Sequence, residues 1–100
     1  MNIQKMKKTA ASVADLLKTL SHPKRLLLLC QMADKEVSVG QLAEMLDLRE
    51  AAVSQQLMLL RKDKLVTTRR DGQTVYYSLA RKDVAQLLAF LYDTYCKDQK

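Results

Sequence analysis

Asp71-Gly72 sits between two β-prone runs, Leu65-Val66-Thr67-Thr68-Arg69-Arg70 before it and Thr74-Val75-Tyr76-Tyr77-Ser78-Leu79 after it. An Asp-Gly pair in that setting is the strongest short signal for a β-hairpin, because glycine accepts the positive φ that a tight turn needs. Most of the remaining chain carries helical periodicity. The hairpin therefore has to pack on helices, and a mainly α fold with one small β element follows.

The helices can be read in order. Val13, Leu16, Leu17 and Leu20 recur at helical spacing from Ala10 onward, and Ala10, Ala11 and Ala14 form a second, small-residue face. Two usable faces suggest a helix that packs on its own domain and on a partner. Residues 1–8 are basic and lack that period, so a flexible arm is expected there. Ser21 is a suitable N-cap, and Pro23 suits a first helical turn, where its missing N–H is not needed. A second helix is expected from Pro23 to about Ala33. Val37-Ser38-Val39 reads as a short strand bridge, and Ser38 can cap a short helix holding Leu42, Ala43, Met45 and Leu46. Asp47-Leu48-Arg49 is a turn, and a further helix from Glu50 to Lys62 buries Val53, Leu57 and Leu60. The last helix, from Lys82 to about Cys96, carries Val84, Leu87, Leu88, Leu91 and Tyr95 as its stripe. Two short helices joined by a tight turn make a helix-turn-helix. Followed at once by a basic hairpin, they make a winged helix-turn-helix, here one domain spanning residues 1–100.

Charge agrees with a nucleic-acid partner. The chain carries 17 Lys plus Arg against 11 Asp plus Glu, a net of +6. Residues 61–82 hold seven basic and two acidic residues, whereas residues 26–60 hold two basic and five acidic ones. Such asymmetry is what a polyanion reads. In this architecture the second helix of the pair enters the major groove with its N-terminal residues toward the bases. Here those residues are Arg49, Glu50, Ala51, Ser54, Gln55 and Gln56. Glutamine can pair with adenine through two hydrogen bonds, but adjacent glutamines diverge by about 100°, so at most one of the two can read a base. Arg69, Arg70, Gln73 and Thr74 occupy the hairpin tip, within reach of a phosphate or the minor groove. Lys24, Arg25, Arg61, Lys62 and Lys64 are candidates for phosphate contacts, which carry affinity without sequence information.

Other classes fit less well. The longest apolar run, Leu26 to Met32, breaks at Gln31 and is too short to span a membrane. No signal-peptide stretch follows Met1–Lys8, so a cytoplasmic protein is expected. Cys30 and Cys96 lie 66 residues apart and there is one histidine. These cannot supply a Cys-x-x-Cys redox motif or a Cys₄, Cys₂His₂ or His₂-carboxylate metal site within one chain. No metal, cofactor or enzymatic activity is expected. On spacing alone the cysteines read as one interior thiol and one tail thiol.

Four strings together carry a family resemblance: Leu20-Ser21-His22-Pro23-Lys24-Arg25-Leu26, Ser38-Val39-Gly40-Gln41-Leu42, Val53-Ser54-Gln55-Gln56-Leu57 with Leu60-Arg61, and Gly72-Gln73-Thr74-Val75-Tyr76-Tyr77-Ser78-Leu79. Over residues 10–96 the chain resembles the ArsR/SmtB family of bacterial repressors. That resemblance implies a homodimer built on the first and last helices and bound to double-stranded operator DNA with inverted-repeat half-sites. The family's metal sensors carry Cys-Val-Cys at the start of the third helix or His/Asp/Glu pairs on the last. Val37-Ser38-Val39-Gly40 and the last helix lack them. The cysteine positions are similar instead to the sulfide- and persulfide-responsive subgroup of the BigR, SqrR and HlyU type. The resemblance implies that Cys30 and Cys96 sense a persulfide or polysulfide inducer by closing a disulfide or polysulfide bridge that weakens operator binding. Also compatible are a general thiol-redox response, a thiophilic metal or metalloid response, and an anti-silencing activator. Four positions depart from the family pattern. Arg49 and Ala51 stand where serine is common, Gln56 where histidine is common, and Lys64 where glycine usually precedes the wing.

Overall fold

A computed structural model describes residues 1–97. Five helices and three short strands run in the order α1 (Ile3–Leu20), α2 (Pro23–Gln31), β1 (Val37–Ser38), α3 (Val39–Leu46), α4 (Glu50–Lys62), β2 (Val66–Asp71), β3 (Thr74–Leu79) and α5 (Lys82–Tyr95). The strands form one antiparallel sheet in the order β1-β3-β2. Arg69 faces Tyr76 and Arg70 faces Val75 across the hairpin, and Val37 pairs with Tyr77.

Two local expectations need correction. The segment expected to be a flexible arm is helical from Ile3, because the Asn2 side chain accepts the amides of Gln4 and Lys5 at 2.9 and 3.3 Å. Ser21 does not cap α2. Its hydroxyl donates to the Lys18 carbonyl at 2.7 Å and so closes α1, while His22 occupies the N-cap of α2 without a side-chain bond. Pro23 follows at the first helical position, where its missing N–H leaves no intrahelical bond unmade.

The other junctions follow the sequence. Ser38 and Gln41 form a reciprocal capping box at the start of α3. The turn of the helix-turn-helix lacks a glycine, and Asp47 takes its place at φ +53°. The Leu48 amide reaches back to the Ala43 carbonyl at 2.9 Å. The end of α4 repeats the device: Lys64 is left-handed at φ +62°, and the Leu65 amide bonds the Leu60 carbonyl at 2.9 Å. These six-to-one bonds mark Schellman closures, whose left-handed position glycine normally fills.

A side chain held left-handed costs about 1–2 kcal/mol, partly offset because glycine loses more entropy on folding. Lys64→Gly is therefore expected to raise stability by about 0.5–1 kcal/mol. Gly72, at φ +62° with nothing within 4 Å of an added Cβ, is the converse case. Gly72→Ala should cost about 1 kcal/mol through backbone strain alone. Thermal unfolding at fixed protein concentration reads both.

The core gathers Leu28, Leu29 and Met32 of α2 and its cap, Leu42 of α3, Val53, Leu57 and Leu60 of α4, and Val84 and Leu88 of α5. It fixes α4 and the hairpin relative to one another. By contrast α1 buries only Leu20, and Leu17 is 51% exposed. On α5, Phe90 is 58% exposed. Of the stripe read on the first helix, Leu16 and Leu20 thus pack against the core, while Val13 and Leu17 stay exposed.

Candidate functional site

Burial sorts the residues of α4. Val53, Leu57 and Leu60 point inward, which turns Ala51, Ser54, Gln55 and Met58 outward. Arg49, at the N-cap, and Arg61, in the last turn, are exposed as well. Gln56 differs. It is half-buried, and its Oε1 accepts Arg25 Nε at 3.1 Å, while Arg25 also donates to the Thr19 carbonyl at 3.3 Å. Gln56 and Arg25 thus tie α4 to the α1–α2 junction, which leaves Gln55 as the outward member of the glutamine pair. Glu50 stands in the first turn of α4, where a carboxylate suits the helix dipole. Its Oε1 lies 3.1 Å from where a Cβ on Gly40 would stand, so Gly40 leaves room for it.

A cleft of about 210 Å³ places His22 and Lys24, at the start of α2, beside Gln55. Sequence reading names Lys24 as a phosphate-contact candidate and places His22 only at a helix start, with no part in the DNA face. The only signal available was its place directly before Pro23, which fixes where α2 starts but not what α2 starts against.

The wing arginines also separate. Arg69 Nε meets the Glu36 carboxylate at 2.9 Å, and its guanidinium lies 5.1 Å from the centre of the Tyr76 ring. The bonded guanidinium holds the Glu36 carboxyl below its ordinary range, and Glu36 in turn holds Arg69 above its own. Arg70, Gln73 and Thr74 are exposed around the tip. Lys62 and Lys64 are exposed at the base of the hairpin. Glu36 therefore competes with any phosphate for Arg69. Glu36→Ala should free that charge and steepen the dependence of duplex binding on salt by about 0.9 in the log–log slope, the effect of one more phosphate contact. Fluorescence anisotropy across a salt series measures it, and an unchanged slope would mean that Arg69 does not reach the backbone.

The two cysteines lie at the C-terminal ends of α2 and α5. Cys30 lies on the last turn of α2, and Cys96 caps α5 with its amide bonded to the Tyr92 carbonyl at 2.8 Å. Both are free and exposed, so Cys30 is not the interior thiol its leucine-rich surroundings suggest. Leu28 and Leu29 fill the core, while Cys30 sits one step further round the helix. A cleft of about 380 Å³ opens beside it, walled by Ala33 and Asp34 on one side and Ala85, Leu88 and Tyr92 of α5 on the other. Partial burial pushes the Cys30 thiol above its ordinary range, and the charge of Cys96 pushes it further the same way. Tyr92 connects the two positions within a single chain, because it lines the cleft beside Cys30 and its carbonyl accepts the Cys96 amide. Among the described residues, no three His, Cys, Asp or Glu side chains gather as a metal would require.

Comparison with known proteins fits this geometry. A family model described as "Bacterial regulatory protein, arsR family" matches residues 22–68. The chain is 42% identical over 97 residues to the transcriptional activator HlyU of Vibrio cholerae, covering 97% of this chain and 90% of that protein. It is 45% identical over 95 residues to the biofilm growth-associated repressor of Agrobacterium fabrum, covering 95% and 81%. The crystal structure of the transcriptional repressor BigR from Xylella fastidiosa superposes with a TM-score of 0.89 at 42% identity, covering 98% of this chain and 100% of that one. With a basic wing, an outward recognition face on α4 and relatives aligned over nearly their whole length, the chain belongs to the arsR family of bacterial regulatory proteins, as a DNA-binding winged helix-turn-helix regulator of transcription.

Proposed function

We propose that this protein is a homodimeric repressor that binds an inverted-repeat operator and releases it when persulfide links Cys30 to Cys96. One observation carries the reading: Cys30, at the end of α2, lines one cleft with Tyr92 of α5, whose carbonyl accepts the Cys96 amide at 2.8 Å. The exposed apolar residues of α1 and α5, among them Val13, Leu17 and Phe90, supply the dimer surface. Readout falls to Arg49, Ala51, Ser54 and Gln55, with backbone contacts from Arg61, Arg70, Gln73 and Thr74 and from Arg69 where it leaves Glu36. Glu50 and Gln56 act as supports of α4.

The chemistry balances without a metal. A protein thiolate attacks the outer sulfur of a persulfide, R–S–SH. A new S–S bond forms, the donor's S–S bond breaks, and the electron pair leaves with RS⁻, which takes up a proton. The second thiolate then attacks the protein sulfur that carries the added –SH and expels HS⁻. Overall, two thiols and one persulfide give a disulfide, RSH and hydrogen sulfide. Each further sulfur in the bridge consumes one more persulfide and releases one more RSH. The bridge ties the end of α2 to the end of α5, which is also dimer surface. A shift there moves the two recognition helices off half-sites about 34–36 Å apart.

Operator binding before and after glutathione persulfide tests the reading. Release that a dithiol reductant reverses supports it, and unchanged affinity contradicts it. A second reading has the protein displace another DNA-bound silencer. It draws on the similarity to a protein named as an activator, and a reporter assay distinguishes the two by the sign of regulation.

The raised Cys30 thiol gives a further expectation. Alkylation of Cys30 should reach half its maximal rate at a higher pH than alkylation of a free cysteine. Cys96→Ser removes the neighbouring charge and should move that midpoint down. Iodoacetamide labelling followed by peptide mass analysis measures both.

A further inference from the structure

We propose that the cleft between α2 and α5 is a charge filter for the sulfur donor, favouring persulfides with small apolar or cationic organic groups at Cys30 over anionic ones. The proposal rests on the dithiol reading above and adds the class of donor.

Three observations support it. The walls of the cleft include Ala33, Ala85 and Ala89, whose small side chains leave about 380 Å³ open beside the Cys30 sulfur. That space suits an organic group of a few heavy atoms. Leu88 adds a buried apolar surface, so the polar groups of the lining other than Cys30 are confined to Tyr92, Asp34 and Asp93. The only charged residues among those lining the cleft are Asp34 and Asp93, one from each wall. Both are exposed and neither takes part in a salt bridge among the described residues.

The local field therefore opposes the field of the whole chain. The net charge of +6 draws anions toward the protein. The two carboxylates repel an anion that enters the cleft and attract a cation, and at distances below the Debye length they outweigh more remote charge. The two fields predict opposite salt effects for one and the same donor. The chemical step is the one given above: the Cys30 sulfur bonds the donor's outer sulfur, and RS⁻ departs. An anionic R group adds a further negative charge between the two aspartates as that thiolate forms, and a cationic R group neutralises it.

Three donors of nearly equal size provide the test: 2-aminoethyl, 2-hydroxyethyl and 2-carboxyethyl persulfide. Each reacts with the reduced full-length protein, and sulfur added at Cys30 is followed by mass. The same reactions with the urea-unfolded chain correct for intrinsic reactivity. The expected order is amino, hydroxy, carboxy, with about a fivefold to tenfold span at low salt that narrows at high salt. Asp34→Asn combined with Asp93→Asn should bring the three rates together. Equal corrected rates, or a carboxyethyl donor that reacts fastest at low salt, would overturn the filter and leave the dithiol reading standing. Failure of every donor to modify Cys30 would overturn both.

Discussion

Leu57→Ala is expected to destabilise the protein by about 3 kcal/mol and to lower its melting temperature by about 12–24 °C. Leu57 is completely buried between the flanking α4 core residues Val53 and Leu60. Truncation removes its transfer free energy and leaves a cavity that close-packed neighbours cannot refill. A chain of 100 residues holds total stability of about 5–15 kcal/mol, so the loss is a large share of it. Operator binding should fall with it, because the same side chain sets the rotation of α4 and hence which residues face the DNA. Met58, the next residue, is 65% exposed. Met58→Ala should stay within about 0.5 kcal/mol of the parent. Circular dichroism at one fixed protein concentration separates the two variants. The fixed concentration matters because a dimer's melting point depends on it.

Cys96→Ser and Cys30→Ser should each abolish the response to persulfide while leaving operator affinity in the reduced state within about twofold. The parent should lose affinity by a factor of about 5–150, the usual range for coupling between an effector site and a second site. Either serine leaves one thiol able to take up sulfur but no partner to close the bridge, so α2 and α5 remain free to hold the DNA-binding arrangement. Neither cysteine is buried. The folded state should therefore tolerate serine at both positions, and any change in response reports on chemistry rather than on unfolding. Anisotropy with labelled operator, repeated before and after the donor, measures both quantities. A Cys96→Ser protein that still releases DNA would mean that modification of Cys30 alone suffices.

Much of the fold was legible because its signals are local. Asp71-Gly72 marked the turn that the hairpin makes, and Val53, Leu57 and Leu60 marked the buried face of α4. Ser38 marked the start of the short helix it caps, and the structure adds Gln41 as the other half of a capping box. The misreadings share a cause, which is that side-chain partners decided them. Residues 3–9 lack an apolar period, yet Asn2 starts a helix there. Ser21 can serve either helix beside it, and the bond to Lys18 settles the matter for α1. Gln56 and Arg25 looked like surface residues until they were seen to meet across 31 positions. Arg69 is held by Glu36, 33 residues away, which no spacing rule anticipates. The thiol pair belongs to the same class. Neither cysteine carries a local motif, and only family resemblance implied that they act together.

The dithiol account is tested most directly by the mass of the peptide that joins Cys30 to Cys96 after treatment of the reduced protein with glutathione persulfide, and separately with hydrogen peroxide. The account predicts a cross-link within one chain in the persulfide sample, as a disulfide or with added sulfur between the two cysteines, formed in step with loss of operator binding. Extra sulfur with persulfide and no cross-link with peroxide would mark a sulfane-sulfur sensor, whereas the same plain disulfide from both would mark a general thiol switch. Operator release with no Cys30–Cys96 cross-link from either oxidant would contradict the account.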